Sequence, residues 1–273
     1  MKTLYVSDLD GTLLRSDAKT SAYTNQVINQ LTSEGILFSY ATARSYLTAT
    51  KATKGLNAKI PIITYNGAVI FQNDTFDIIA QNVFCQNEKE EILNEILRRG
   101  IYPIVYAYIS GKEKFSYVVN KCNRATTEFL LTRKGDVRDT PVKFDSALGI
   151  GDVFYFVCID AYEKLEPLYI QFKDKYHCIF QTEIYSGEQW LEIVPKSVSK
   201  ANAILQLKES LGIDYIVAFG DGKNDIEMFE IADESYAVEN AVDELKAIAT
   251  GIIESNDSDG VAKWLHKKFC AIV

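Results

Sequence analysis

Apolar runs and helical repeats alternate along the first 82 residues, lose that order, and resume it from about residue 185. The run TLYVSD is followed by a stretch of helical period, SAYTNQVINQLTSEG, in which Val27, Ile28 and Leu31 share a face and Gly35 stands where a helix commonly stops. ILFSYAT and IPIITYNGAVI come next, separated by the helical SYLTATKATKG. Strand, helix, strand at this spacing makes βαβ units, and those units make a parallel sheet.

Between residues 83 and 184 the pattern changes. NEKEEILNEILRRG predicts a helix with Asn87 as N-cap and Glu90 in capping-box spacing. IYPIVYAYI and KFSYVVN read as antiparallel neighbours across SGKE. A second helical section leads to VFYFVCID, a helix around AYEKLEPLYIQFKDKY, and strands near CIFQTEIY and QWLEIV. Helix plus two strands, then the same again, predicts a small α+β domain. The α/β rhythm returns with the helix SVSKANAILQLKESLG, the strand DYIVAFG and the helix KNDIEMFEIA. The expected fold is α/β: a doubly wound Rossmann-like parallel-sheet core over 1–82 and 185–273, split by an inserted α+β domain over 83–184.

Composition narrows the chemistry. A net charge of −8 over 273 residues and no long basic run argue against a nucleic-acid partner. The densest basic stretch, KATKGLNAK, reads as a solvated face. No stretch approaches the roughly 18 apolar residues of a membrane span, and MKTLYVSDLD turns acidic too soon for a secretion signal. Five cysteines without CxxC spacing read as free, buried thiols in a reducing cytoplasm. With only two histidines, His177 and His266, the chemistry rests on carboxylates, hydroxyls and lysines.

The first apolar run ends in Asp8 and Asp10, which point the same way along an extended chain. Gly11 then lets the chain turn tightly away. Two carboxylates so placed share a proton, hold a cation or merely cap a turn. A second run, YIVAFGDGKND, breaks in the same manner, with Asp221 and Asp225 four apart and Asn224 between them. Acids in a first helical turn also suit the macrodipole. Two parallel strands ending so, however, bring several carboxylates to one sheet edge, where open α/β sheets bind ligands and where Mg²⁺ takes oxygen donors. Lys200 falls in the first helical turn after PKSVS, the end at which the dipole disfavours a cation, and Thr42 ends the strand ILFSYAT.

In order, DLDGTLL, ATAR, the lysine of SVSK, and GDGKND resemble the four motifs of the haloacid dehalogenase-like phosphatases. TYNGAVI, LEIVPKSVSKANAI, the Asn240-Ala241 pair and DGVAKWL are similar to the Cof-type subfamily, which carries a large inserted C2-type (IIB) cap. That resemblance covers both core segments and implies a Mg²⁺-dependent phosphatase acting on a small phosphorylated metabolite, a sugar phosphate or a phosphorylated cofactor. It implies Asp8 as the nucleophile that becomes an aspartyl-phosphate, and Asp10 as general acid and then base. Thr42 and Lys200 would position the phosphoryl group. The metal would be held by Asp8, the Asp10 carbonyl and Asp221, with Asp225 and Asn224 at its shell. Asn224, Arg44 and Asn66 would also line the substrate side. The sequence departs from the family pattern at Ala43 and Ala201, where glycine is usual, which bears on substrate preference more than on activity. A phosphomutase is the alternative within the enzymes, but its cap follows the first motif, and only about 30 residues separate Asp10 from Thr42. A non-catalytic phosphosugar sensor is the alternative outside them, and it has no use for an acid and base at Asp10.

Overall fold

A computed structural model of the protein describes residues 1–56, 61–72, 75, 77–182 and 188–270. The expected strand residues 60 and 183–185, and the end of the lysine-bearing stretch at 57–59, lie outside these. Contacts divide the chain into two compact units, Met1–Gln81 with Val198–Val273, and Asn82–Ser197.

The chain opens with β1 (Thr3–Ser7), α1 (Ala22–Ser33), β2 (Leu37–Tyr40) and α2 (Tyr46–Ala52). Ser21 and Ser45 cap the two helices by accepting the Thr24 and Thr48 amides. Val27, Ile28 and Leu31 are buried, and Gly35 closes the helix at φ +93°. The expected long third strand is instead a hairpin. β3 (Ile62–Thr64) and β4 (Val69–Phe71) run antiparallel and are joined by β5 (Ile78–Gln81) in a small separate sheet. Tyr65, Asn66 and Gly67 turn the chain back with φ of +50°, +52° and +103°. Three left-handed residues in a row reverse the strand, and two of them carry side chains that ordinarily avoid that region.

The inserted unit contains α3 (Gln86–Arg98), β6 (Ile104–Ile109), β7 (Lys112–Val118), α4 (Arg124–Leu131), β8 (Asp139–Val142), β9 (Asp152–Asp160), α5 (Tyr162–Phe172), β10 (His177–Thr182) and β11 (Gln189–Val194). Its sheet has the order β10-β11-β9-β6-β7-β8. β6 and β7 pair antiparallel across Ser110-Gly111, both at positive φ, the geometry of a two-residue hairpin. Ile92, Ile96, Leu165 and Leu168 from the helices pack on Val105, Phe156, Cys158 and Leu191 of the sheet.

Three expectations need correcting for this unit. It ends at Ser197, later than the expected 184, because β11 pairs with β9 and β10 and so belongs to this sheet. The helix begins at Gln86 behind Cys85, not behind Asn87, because the Glu88 carboxylate reaches back to the Cys85 amide at 2.9 Å. β8 was not anticipated; it adds parallel to β7. Of the thiols expected to be buried, Cys158 is, Cys85 is exposed, and Cys122 and Cys178 lie between.

The chain returns with α6 (Lys200–Leu211), β12 (Tyr215–Gly220), α7 (Ile226–Glu230), β13 (Glu234–Val238), α8 (Asp243–Ile248), β14 (Gly251–Ile253) and α9 (Gly260–Cys270). The core sheet has the order β14-β13-β12-β1-β2, with every neighbouring pair parallel. Its centre is apolar on both faces, as helix-covered parallel strands must be: Leu4, Val6, Ile216, Val217 and Phe219 are fully buried. Trp264 of α9 packs on Tyr5, Phe219 and Tyr236. Parallel pairing of β1 with β12 puts the carboxyl ends of these strands side by side, Ser7 opposite Phe219.

Candidate active site

Asp8 and Asp10 follow β1, and Asp221 and Asp225 follow β12, at that sheet edge. The Asp8 amide donates to Phe219 O at 2.9 Å, so Asp8 lies directly beside the end of β12. On the other side the Ala41 amide donates to Ser7 O at 2.9 Å, which brings Thr42 to the same edge. After Asp8 the chain makes a tight turn in which Asp10 (φ −74°, ψ 121°) and Gly11 (φ +77°, ψ −5°) have type II values. Gly11 is required twice over. Its φ disfavours a side chain, and a Cβ would lie 2.3 Å from Asp221 Oδ2.

Asp8, Asp221 and Asp225 bring their carboxylate oxygens within 4.8 Å of one another. Lys200 Nζ lies 2.5 Å from Asp8 Oδ1 and 2.7 Å from Asp225 Oδ1, with Asp8 and Asp225 buried and Lys200 only 1% exposed at its side chain. Asp225 Oδ2 accepts the Asp221 and Gly222 amides, each at 3.0 Å. Both oxygens of Asp225 are thus in use, and its carboxylate orients the turn that carries Asp221. Thr12 Oγ1 donates to Asp221 Oδ1 at 2.8 Å.

The electrostatics of this cluster ask for a cation. Burial pushes the Asp8 carboxyl up to about 8; Lys200 opposes that, while Asp225 and Asp221 add to it. Asp221 is raised as well, by burial first and then by Asp225, against the Thr12 hydrogen bond. Burial alone would lower Lys200, but Asp8 and Asp225 outweigh it and keep it above the usual lysine range. Ionising all three carboxyl groups beside one ammonium is costly in a desolvated place, and a divalent cation with oxygen donors offsets that cost. The donor set therefore fits Mg²⁺.

The remaining expected residues are distributed less simply. Thr42 is fully buried, and its hydroxyl accepts the Arg44 amide at 3.1 Å while keeping its own proton to donate. Asn66 sits in the left-handed turn, its amide donating to Thr42 O at 2.8 Å, and its buried Oδ1 has no hydrogen-bond partner among the described residues. Asn224 is exposed on the turn before α7. Arg44, expected at the substrate, turns its guanidinium to Asp10: Nε donates to Oδ2 at 2.7 Å and Nη2 to Oδ1 at 2.5 Å.

Two residues that shape the site were missed in the sequence reading. Thr12 holds Asp221, and Asn240 donates to Gly11 O at 2.7 Å while accepting the Asn256 amide at 3.0 Å. The Asn240-Ala241 pair was visible as a motif, but nothing local shows that it reaches back to the Asp10 turn. Gly67 is also structural: a Cβ there would lie 2.2 Å from Ser199 O, immediately before Lys200.

Comparison with known proteins agrees with this geometry. A family model for haloacid dehalogenase-like hydrolases matches residues 5–265. The 5-amino-6-(5-phospho-D-ribitylamino)uracil phosphatase YwtE of Bacillus subtilis is 30% identical over 281 residues, covering 95% of this chain and 96% of its own. A Thermotoga maritima protein of known crystal structure superposes with a TM-score of 0.81 at 26% identity, covering 98% of this chain and 97% of its own. The subclass IIB sugar phosphatase BT4131 shares the fold with a TM-score of 0.70 at 20% identity, each chain covered in full (100%).

Proposed function

The chain belongs to the haloacid dehalogenase-like hydrolases as a phosphatase of the Cof type, and on that basis we propose that it hydrolyses a small phosphorylated metabolite through an aspartyl-phosphate on Asp8. The observation that carries this reading is the buried cluster of Asp8, Asp221, Asp225 and Lys200 at neighbouring strand ends. Desolvated carboxylates held by one lysine stabilise a fold poorly, and they suit a site that must meet a phosphate dianion and a cation.

Asp8 Oδ attacks phosphorus as the bond to the leaving oxygen breaks, and the proton carried by Asp10 goes to that oxygen. Asp10, now a carboxylate, takes a proton from the water that attacks the aspartyl-phosphate, which releases phosphate and restores Asp8. Lys200 holds positive charge beside Asp8 throughout, and the Thr42 hydroxyl donates to a phosphoryl oxygen. Asn66 Oδ1 is an acceptor without a partner among the described residues, suited to a substrate hydroxyl. Mg²⁺ would be held by Asp8, the Asp10 carbonyl and Asp221, and when bound it supplies charge for the transferring phosphoryl group.

The substrate belongs among sugar phosphates and phosphorylated cofactors. Two Bacillus subtilis relatives, YwtE and YitU, are named for a ribityl phosphate carried on a uracil, a compound of that class, which supports the reading. Turnover of p-nitrophenyl phosphate with Mg²⁺, with EDTA and in Asp8→Asn tests it. Metal-dependent turnover that disappears in the variant is expected. A folded wild type inactive on this ester and on a panel of sugar phosphates overturns the proposal.

A further inference from the structure

We infer that Arg44 is a positioning residue for the acid and base of the reaction: it fixes the Asp10 carboxylate by bracketing both oxygens, and it is not a substrate ligand. This rests on the aspartyl-phosphate reading above and assigns within it a part that the four motifs leave open.

The backbone of Asp10 is already set by the type II turn at Asp10 and Gly11 and by Asn240 on Gly11 O. What stays free is the side chain, which is 51% exposed and would otherwise sample its rotamers in water. Arg44 removes that freedom. Its fork meets the carboxylate at 2.7 and 2.5 Å, the parallel two-bond geometry that defines both direction and plane. Each Asp10 oxygen keeps a second lone pair, so a proton can still pass through either.

The arginine is itself anchored at both backbone groups. Its amide donates to Thr42 Oγ1 at 3.1 Å, and its carbonyl accepts the Tyr65 amide at 3.0 Å. Tyr65 opens the left-handed turn, whose next amide, Asn66, holds Thr42 O at 2.8 Å. The turn, the Thr42–Arg44 loop and the Asp10 carboxylate form one connected support. An exposed ion pair adds little to stability, so the effect of this geometry lies in orientation. The same carboxylate must face the leaving oxygen in the first half-reaction and water in the second, which demands a fixed plane.

The test exploits leaving groups that differ in their need for a proton. p-Nitrophenolate departs as a stable anion, whereas the alkoxide of glucose 6-phosphate must be protonated as it leaves. First-turnover release of the leaving group is measured with Mg²⁺ for wild type, Arg44→Ala, Arg44→Lys, Asp10→Asn and the Arg44→Ala/Asp10→Asn double variant. Arg44→Ala should slow release from the sugar phosphate by about 10²-fold, within the range of general acid catalysis. It should change p-nitrophenol release by less than about 3-fold, since that step needs no positioned acid. Arg44→Lys, a point charge, should recover little of the loss. The double variant should be no slower than Asp10→Asn, because one function is removed once. Equal losses on both esters with a raised KM, or losses that multiply in the double variant, would show Arg44 to be a substrate ligand and overturn the inference. A wild type active on both esters while Asp10→Asn is unimpaired would remove the acid that Arg44 is said to position. A wild type inactive on both esters, or an Asp8→Asn that keeps full activity, would instead overturn the phosphatase mechanism itself, and the role of Arg44 with it.

Discussion

Replacing Gly67 by alanine should unseat Lys200 by way of the Ser199 backbone. The residue stands at φ +103°, and a Cβ built on it lies 2.2 Å from Ser199 O and 2.7 Å from Ser199 C, both backbone atoms. An ordinary contact needs about 3.4 Å or more, so the turn or the start of α6 must give by about 1 Å, an overpacking cost of about 1–3 kcal/mol. Left-handed backbone adds about 1–2 kcal/mol for a residue with a Cβ. Gly35 supplies a matched control, with φ +93° and nothing within 4 Å of its Cβ position. Gly35→Ala should cost the backbone term alone, and Gly67→Ala about 1–3 kcal/mol more. For a unit of this size each kcal/mol lowers the melting midpoint by about 2–4 °C. Ser199 caps α6 by accepting the Asn202 amide, and Lys200 is the first helical residue, so the displacement passes straight to the ammonium beside Asp8. A shift of that size costs on the order of 10²-fold in kcat. Thermal denaturation and p-nitrophenyl phosphate turnover of the two variants decide the matter. A Gly67→Ala protein as stable as Gly35→Ala, with wild-type kcat, would refute the reasoning.

Other outcomes follow from the same geometry. In metal-free buffer at a pH above the Asp8 value of about 8, where its carboxyl is ionised, Lys200→Met leaves Asp8 and Asp225 buried without their cation and should lose about 3–5 kcal/mol of unfolding free energy in denaturant titration. Adding Asp8→Asn should restore part of it; no recovery would contradict the charge argument. In the inserted unit, hydrogen bonds from the Arg138 guanidinium hold Asp136 below the usual carboxylate range in spite of partial burial. A depressed folded value stabilises above the unfolded one, near 4, and that contribution disappears as pH falls through the folded value. Asp136→Asn should therefore cost about 1–2 kcal/mol at pH 6–8, and the gap to wild type should narrow only below about pH 4. A gap independent of pH down to 2 would show that the charge is not involved.

The core was legible because parallel strands buried on both faces must read as apolar runs, and their ends must break into loops. Asp8, Asp10, Asp221 and Asp225 were therefore placed at one edge from sequence position alone. Lys200 was legible as an exception, a cation at the wrong end of a helix. The hairpin after β3 was not, because Tyr65 and Asn66 adopt a backbone region their side chains disfavour, held by the carbonyls of Arg44 and Thr42. Arg44 was given to the substrate side by the family resemblance, and its ion pair with Asp10, 34 residues away in sequence, lies beyond any local pattern. The late end of the inserted unit was missed for a related reason: β11 alternates burial like any sheet strand, and only its pairing with β9 and β10 assigns it.

The split of the core carries a consequence for how the protein comes into being. Thr12 and Asp221, hydrogen-bonded in the finished site, are 209 residues apart, which is about 10–40 s of translation. During that interval β1 has been made but its neighbour β12 has not, so this interior strand of the core waits with one edge unpaired. The inserted unit lies wholly within the interval and has every strand of its own sheet before α6 is made. Birth order thus favours a nascent chain in which the middle folds first while the nucleophile-bearing strand stays open. Such a strand is a natural place for a chaperone to bind, and for two unfinished chains to pair by mistake.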